Sequence, residues 1–488
     1  MSPRSRRRFA YLGLACAAAL LAAVAVAGWV LVSDGPIPVG RETTYLTGPL
    51  DADGYVNYLA SMRSGEDLPD RLNAARVYAA VSGVEMALPG EADVGVRDFA
   101  TAAEAARLTP TEWDADAVQE RNRQSNACLK SPWTADELPM AAAWLAANGP
   151  ALDALVEASG RPGYFYRPQK GGPLVTMALP MAQSRRELAR LLTARAMNRV
   201  ALGEWEAAGR DVDALRRMAG HWNEDAVLIE LLVGAAVEAL AARTELALLA
   251  RAPDAARVKA RQASWAGPAP LDFAACMDRG ERFALLGALA EVDRAGRSGT
   301  TGAAGFAAFG VTPTWGRRAA ARSINVEPLC RRANDYFDRA AAALRMPEAE
   351  RPAAAAAVDE TWRDPLNDGA KSLVWAMAFG EDVSGWVSPL SCTPVLRAWA
   401  GVEVRPRLVA VAAAGRLFEL AEGRPPASRG DLVPRFLDEW PSDPLDGGPL
   451  KDETSGRRWA VFGAVGEFER AEDRAGREVV FGEAAASP

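Results

Sequence analysis

Between Phe9 and Val32 the chain runs for 24 residues without a charge, directly after the basic cluster Arg4, Arg6, Arg7 and Arg8. A helix of that length reaches about 36 Å, more than the roughly 30 Å of a bilayer's hydrocarbon core. The stretch predicts an N-terminal transmembrane helix. Because the arginines precede it and Asp34 follows it, the positive-inside rule keeps the N-terminus in the cytoplasm. The expected location is the inner (cytoplasmic) membrane, crossed once, with the C-terminal bulk on the periplasmic or extracytoplasmic side. Two other fates compete. Ala25-Val26-Ala27 fits a signal-peptide cleavage site, and Cys16 could carry a lipid. The retained anchor is preferred because Trp29 to Val32 prolong the apolar run past the cleavage site.

Export gives the remaining cysteines a meaning. Cys128, Cys276, Cys330 and Cys392 would lie where disulfides persist, and they show no C-x-x-C spacing. Two bridges in any of three connectivities, or four buried free thiols, are equally open, since a chain of this size does not need staples. With 488 residues, 49% hydrophobic and 24% charged, the chain can bury a large core. A formal charge of −7, with four arginines spent ahead of the anchor, excludes a nucleic-acid groove. One histidine among 488 residues leaves little for a zinc enzyme.

Helical patterning dominates. After a Gly/Pro-containing linker from Ser33 to Pro49, Asp53-Gly54-Tyr55-Val56 leads into a helix near Leu72 to Tyr78. Thr134 with Glu137 forms a capping-box pattern that predicts a helix through Leu145, and Ser184 with Glu187 predicts a second start. Gly203 then separates that helix from one running to Gly220, an antiparallel hairpin. Leu202-Gly203, Ala208, Val212 and Leu215 resemble the second half of one tetratricopeptide (TPR) repeat, with no second copy at a 34-residue step. Asn223 is a candidate N-cap for the apolar run Val227 to Ala250, where Glu230, Glu238, Arg243 and Glu245 argue for a buried central helix rather than a second membrane span. Ala295 to Pro313, rich in Gly, Ser, Thr and Ala, predicts a mobile loop or linker. Helices are expected again over Cys330 to Leu344 and Arg351 to Trp362, then a turn at Asp364 to Gly369; the runs Leu373 to Phe379 and Val395 to Ala400 fit either helix or strand.

The C-terminal residues change character. A helix through Leu408 and Leu420 stops at Glu422-Gly423-Arg424-Pro425-Pro426, followed by Leu432-Val433-Pro434, the turn-rich Asp443-Pro444-Leu445-Asp446-Gly447-Gly448-Pro449-Leu450, and two expected strands, Trp459 to Phe462 and Glu478 to Phe481. This order resembles the globular half of the major pseudopilins of type II secretion systems. It also resembles the tail of a family of membrane-anchored planctomycetal envelope proteins without established activity. In that second family Asp-Gly-Tyr-Val, Asn-Ala-Ala and Trp-Thr-x-x-Glu-Leu-Pro segments, here Asp53 to Val56, Asn73 to Ala75 and Trp133 to Pro139, recur in the same order. The resemblance implies an architecture, not a reaction. The pseudopilins' calcium site would fall to Asp443, Asp446 and Asp473, but Gly466 to Asp473 lacks their paired Asp and Gly, and an Asp-Pro and Asp-Gly turn pair accounts for the first two.

The fold expected is mainly α. It comprises an N-terminal transmembrane anchor (1–33), an α-helical body with a partly TPR-like hairpin (34–294), a Gly-rich linker or loop (295–326), a second helical segment (327–404) and a small pseudopilin-like α+β tail (405–488). His221, the only imidazole, follows a helix end, where a cation near the C-terminus or a plain loop residue is expected. No nucleophile elbow, H-E-x-x-H, Walker or dinucleotide motif is found. Glu137, Glu204, Glu206 and Glu230, with Trp133, Trp205 and Trp222 nearby in sequence, are the candidates for a glycosidase-type acid pair. The leading expectation is a membrane-anchored, non-enzymatic interaction or scaffold protein without cofactor. Its expected partners are the membrane, through its first helix, and envelope or secretion-system proteins, but no nucleic acid. An acid-pair hydrolase of envelope glycans and an accessory component of a secretion or pilus-like system are the alternatives.

Overall fold

The computed structural model describes residues 36–62, 68–83, 95–108, 115–166, 174–222, 226–267, 271–297, 299–308, 311–362, 378–379, 389–455, 458–463 and 478–481. The anchor Phe9 to Val32, Asn223, the turn Asp364 to Gly369 and Asp473 lie outside them. Among the described residues no helix is long and apolar enough to cross a membrane. The fold is mainly helical, and among the described residues the strands are confined to the C-terminal part.

After short helical turns at Tyr58–Ser61 and Asp70–Leu72, the chain forms α1 (Ala74–Ser82), whose N-cap Asn73 accepts from the Ala75 N–H and whose end is closed by Gly83 at φ 71°. Next come α2 (Phe99–Ala105), α3 (Ala115–Ala127), α4 (Pro139–Ala147) and α5 (Gly149–Ser159). The Thr134–Glu137 interaction exists, with Glu137 accepting from the Thr134 backbone at 2.7 Å. It closes a turn rather than a helix, because Pro139 disfavours helical backbone at Leu138, and α4 starts at the proline. Ser184 is likewise not a start. It lies inside α6 (Leu174–Ala201), which continues through Pro180; the buried row Met181, Ala182, Leu188, Leu191 and Leu192 outweighs the local capping signal.

Gly203, at φ 74°, turns the chain into α7 (Trp205–Gly220). α6 and α7 pack together, and fully buried Asp211 ties them by accepting from Arg195 at 2.8 Å and Arg199 at 2.7 Å. α8 (Leu228–Ala250) lies against both. Its carboxylates are buried but served: Glu238 faces Arg216 at 3.3 Å, and Glu245 faces Arg261 at 2.6 Å. α9 (Ala255–Ser264) leads to a short helical turn, Phe273–Ala275, a π-helical stretch, Cys276–Glu281, and α10 (Arg282–Ala295).

The segment expected to be a mobile linker carries two helices, α11 (Gly299–Ala308) and α12 (Trp315–Arg322). Gly296, Gly302 and Gly305 are there for close packing. A Cβ on Gly305 would stand 2.3 Å from the Ala295 nitrogen and 2.6 Å from the Glu291 carbonyl, so α11 rides directly on the backbone of α10. Phe306 is fully buried beside Phe379. α13 (Glu327–Leu344) and α14 (Arg351–Thr361) follow.

α15 (Cys392–Glu422) is one helix across the expected boundary at residue 404, with Pro406 in its interior and Gly423 at φ 70° closing it. Val395 to Ala400 belong to it. After it, β1 (Lys451–Ser455), β2 (Arg458–Phe462) and β3 (Glu478–Phe481) form an antiparallel sheet in the order β1-β2-β3. Trp459 pairs across from Phe481 and stacks on it at 5.3 Å, and the Phe481 ring fills the space that a side chain at Gly415 of α15 would need.

Candidate functional site

The three motif segments are spent on structure. Arg294 donates to Asp51 at 2.7 Å, to Asp53 at 3.0 Å and to Glu291, while Tyr55 bonds Asp293 and Arg297. These contacts strap the early chain to the end of α10. The Asn73 side chain bonds both backbone groups of Phe165 at 2.9 Å. Trp133 donates from its indole to the Cys128 carbonyl at 3.1 Å.

His221 is the C-cap of α7, but it is not a cation there. Its Nδ1 shares a hydrogen bond with the Tyr78 hydroxyl at 3.1 Å and its ring stacks on Tyr164. Burial, then the charges of Arg185 and Arg217, push its pKa down to about 4. Fully buried Arg185 lies over the Trp222 ring at 3.6 Å and donates to the His221 carbonyl. Close by, Glu230 accepts from the Val227 N–H at 2.9 Å and Glu281 from the Leu228 N–H at 2.6 Å. Burial, reinforced by Glu281, raises Glu230 to about 7.

The expected acid set is not gathered. Glu230 is in this core, whereas Glu137, Glu204 and Glu206 are exposed. Glu137 closes its turn, Glu204 lies 3.8 Å from Arg199, and Glu206 faces Arg257 at 3.3 Å. The four cysteines Cys128, Cys276, Cys330 and Cys392 are buried free thiols. Burial pushes Cys128, Cys330 and Cys392 up to about 12 and Cys276 upward too, which makes them poor nucleophiles. Asp443 accepts from Leu445 N–H at 2.8 Å and Asp446 from Gly448 N–H at 2.9 Å, the turn chemistry of Asp-Pro and Asp-Gly. Among the described residues no three His, Cys, Asp or Glu side chains are placed to hold a metal.

What sequence reading missed is an open cleft of about 940 Å³ between α9 with its following loop and the middle of α15. Gln262, Asp272, Arg345, Trp399, Glu403 and Arg407 bring its polar and aromatic chemistry. Asp272 caps the turn at Phe273 by accepting from the Ala275 N–H at 2.9 Å. Glu403 accepts from Arg351 at 3.0 Å, and burial raises its pKa despite that pair. Arg407 is held by Glu348 and by the Ser442 carbonyl at 2.8 Å. Arg345, half exposed, reaches Asp278 only at 3.4 Å. These residues are scattered over distant segments with no spacing to betray them; only the Asp272 cap before Phe273-Ala274-Ala275 was readable in the sequence. No protein-family model, curated protein or solved structure matches this chain.

Proposed function

We propose that the chain is a membrane-tethered, non-enzymatic interaction protein of the cell envelope, held by its first apolar helix with its helical body and α+β tail on the outer side. One observation supports a binding rather than a catalytic role. Glu230 and the four thiols are buried in the core, the thiols with their pKa raised, the half-buried His221 is engaged with Tyr78, and none of them lines the open cleft. The open cleft, by contrast, offers charged side chains already engaged with the protein. The likeness of the tail to pseudopilins favours protein neighbours in the same compartment.

The test is cross-linking of the full-length protein in intact cells, combined with protease added from outside. A discrete cross-linked partner and digestion of the large portion are expected. Protection of that portion would refute the orientation, and turnover of a glycan or peptide by the purified chain would refute the non-enzymatic role.

A further inference from the structure

We infer that the cleft between α9 and α15 is a binding site for a neutral saccharide. Its volume of about 940 Å³ lies at the upper end of small-ligand clefts, roughly 300–1,000 Å³. Two acids, Asp272 and Glu403, and two guanidinium groups, Arg345 and Arg407, line it together. Their formal charges balance, so the lining carries no net charge that would favour an ion of one sign. Any cationic ligand would meet the arginines, and any anionic one the carboxylates. A hydroxyl group escapes this conflict, because it donates to a carboxylate and accepts from a guanidinium or amide with the same oxygen.

The unspent valences suit such a ligand. Asp272 uses one oxygen on its cap and Glu403 one on Arg351, and the Gln262 amide has no hydrogen-bond partner among the described residues. Leu271, Ala274, Pro406, Ala410 and Pro441 supply apolar wall for the C–H faces of sugar rings. The indoles serve as wall rather than as stacking platforms, since Arg351 already lies over Trp399 at 4.6 Å and Arg216 over Trp265 at 4.0 Å. This inference names a ligand for the envelope-binding reading and rests on it for where that ligand would be met.

The test uses the full-length chain in a detergent without a sugar headgroup, titrated calorimetrically with hexasaccharides of β-1,4-linked N-acetylglucosamine and of β-1,4-linked glucose. Citrate and spermidine serve as charged probes. Binding of at least one hexasaccharide and of neither charged probe is expected. Gln262→Ala and Asp272→Asn should each weaken it by about tenfold, the loss of one hydrogen bond to a desolvated group. Asn retains the capping ability of Asp272, and Gln262 holds nothing in the fold, so at least one variant keeps its structure. Absence of hexasaccharide binding at millimolar concentration, unchanged affinity in both variants, or binding of a charged probe instead would overturn the inference. Hydrolysis of a bound hexasaccharide would support the site while overturning the non-enzymatic reading, which keeps the two failures apart.

Discussion

Glu230 stands where a carboxylate is hardest to keep ionised. It is fully enclosed, with Arg185 near enough to offset part of the cost and Glu281 near enough to add to it. Its pKa rises from 4.5 to about 7, so folding favours the protonated form. The stabilisation is fully present below pH 4.5 and is lost as pH rises through about 7. A shift of that size corresponds to about 3 kcal/mol. Glu230→Gln should remove the dependence, because the amide oxygen still accepts from Val227. Urea unfolding at pH 5 and pH 8 checks this: the wild type should lose more stability across the interval than the variant, and equal losses would contradict the assignment. Asp211 shows the opposite economy. Burial raises its pKa, yet two arginines depend on it. Asp211→Ala removes the buried carboxylate that both share, leaving Arg195 only the exposed Asp153 and Arg199 only Glu204 at 3.8 Å, and should cost roughly 3 kcal/mol in chemical denaturation.

The hairpin of α6 and α7 and the central helix α8 were legible because their signals are local. Gly203 punctuates, apolar residues recur with helical period, and glutamates at 230, 238 and 245 disqualify a membrane span. The failures have a common cause in tertiary packing. Ser184 reads as a helix start, but it sits inside α6, which also runs through Pro180. β1 reads Lys-Asp-Glu-Thr-Ser, with no apolar alternation, and becomes a strand only because β2 pairs with it. Composition misled most at α11, where glycines that suggest freedom mark close contact of two backbones. The two meanings predict opposite signs. In a mobile linker Gly305→Ala would stabilise by about 0.4–1 kcal/mol through the unfolded state. Against the backbone of Ala295 and Glu291 it should destabilise by roughly 1–3 kcal/mol. The shift in thermal midpoint decides between them, and its sign suffices.

Buried apolar residues fall into two large clusters, and neither is a contiguous stretch of chain. One gathers Tyr78, Leu152, Leu192, Val237 and Trp265 with Leu408, Phe418, Trp459 and Phe481. The other gathers Tyr58, Leu231, Phe283, Phe337 and Leu344 with Val395 and Val402. Helices α8 and α15 serve both: Leu231 and Ala235 lie in the second while Val233 and Val237 lie in the first, and α15 changes allegiance between Val402 and Val404. The candidate cleft opens where those two helices' neighbours meet, so its shape depends on both clusters being formed. The tail is therefore not a detachable module. A chain cut at residue 404 would split α15 mid-helix and part its second half, with Leu408, Val409 and Phe418, from the cluster it shares with α8 and α9. Residues 405–488 expressed alone should lack near-ultraviolet dichroism and protected amides. The intact protein, by the same argument, should protect amides of α8 and α15 to the same degree as β2, because opening the sheet exposes the helices that complete its core. A tail that folded alone with native amide protection would show instead that the shared helices bind two independent units together.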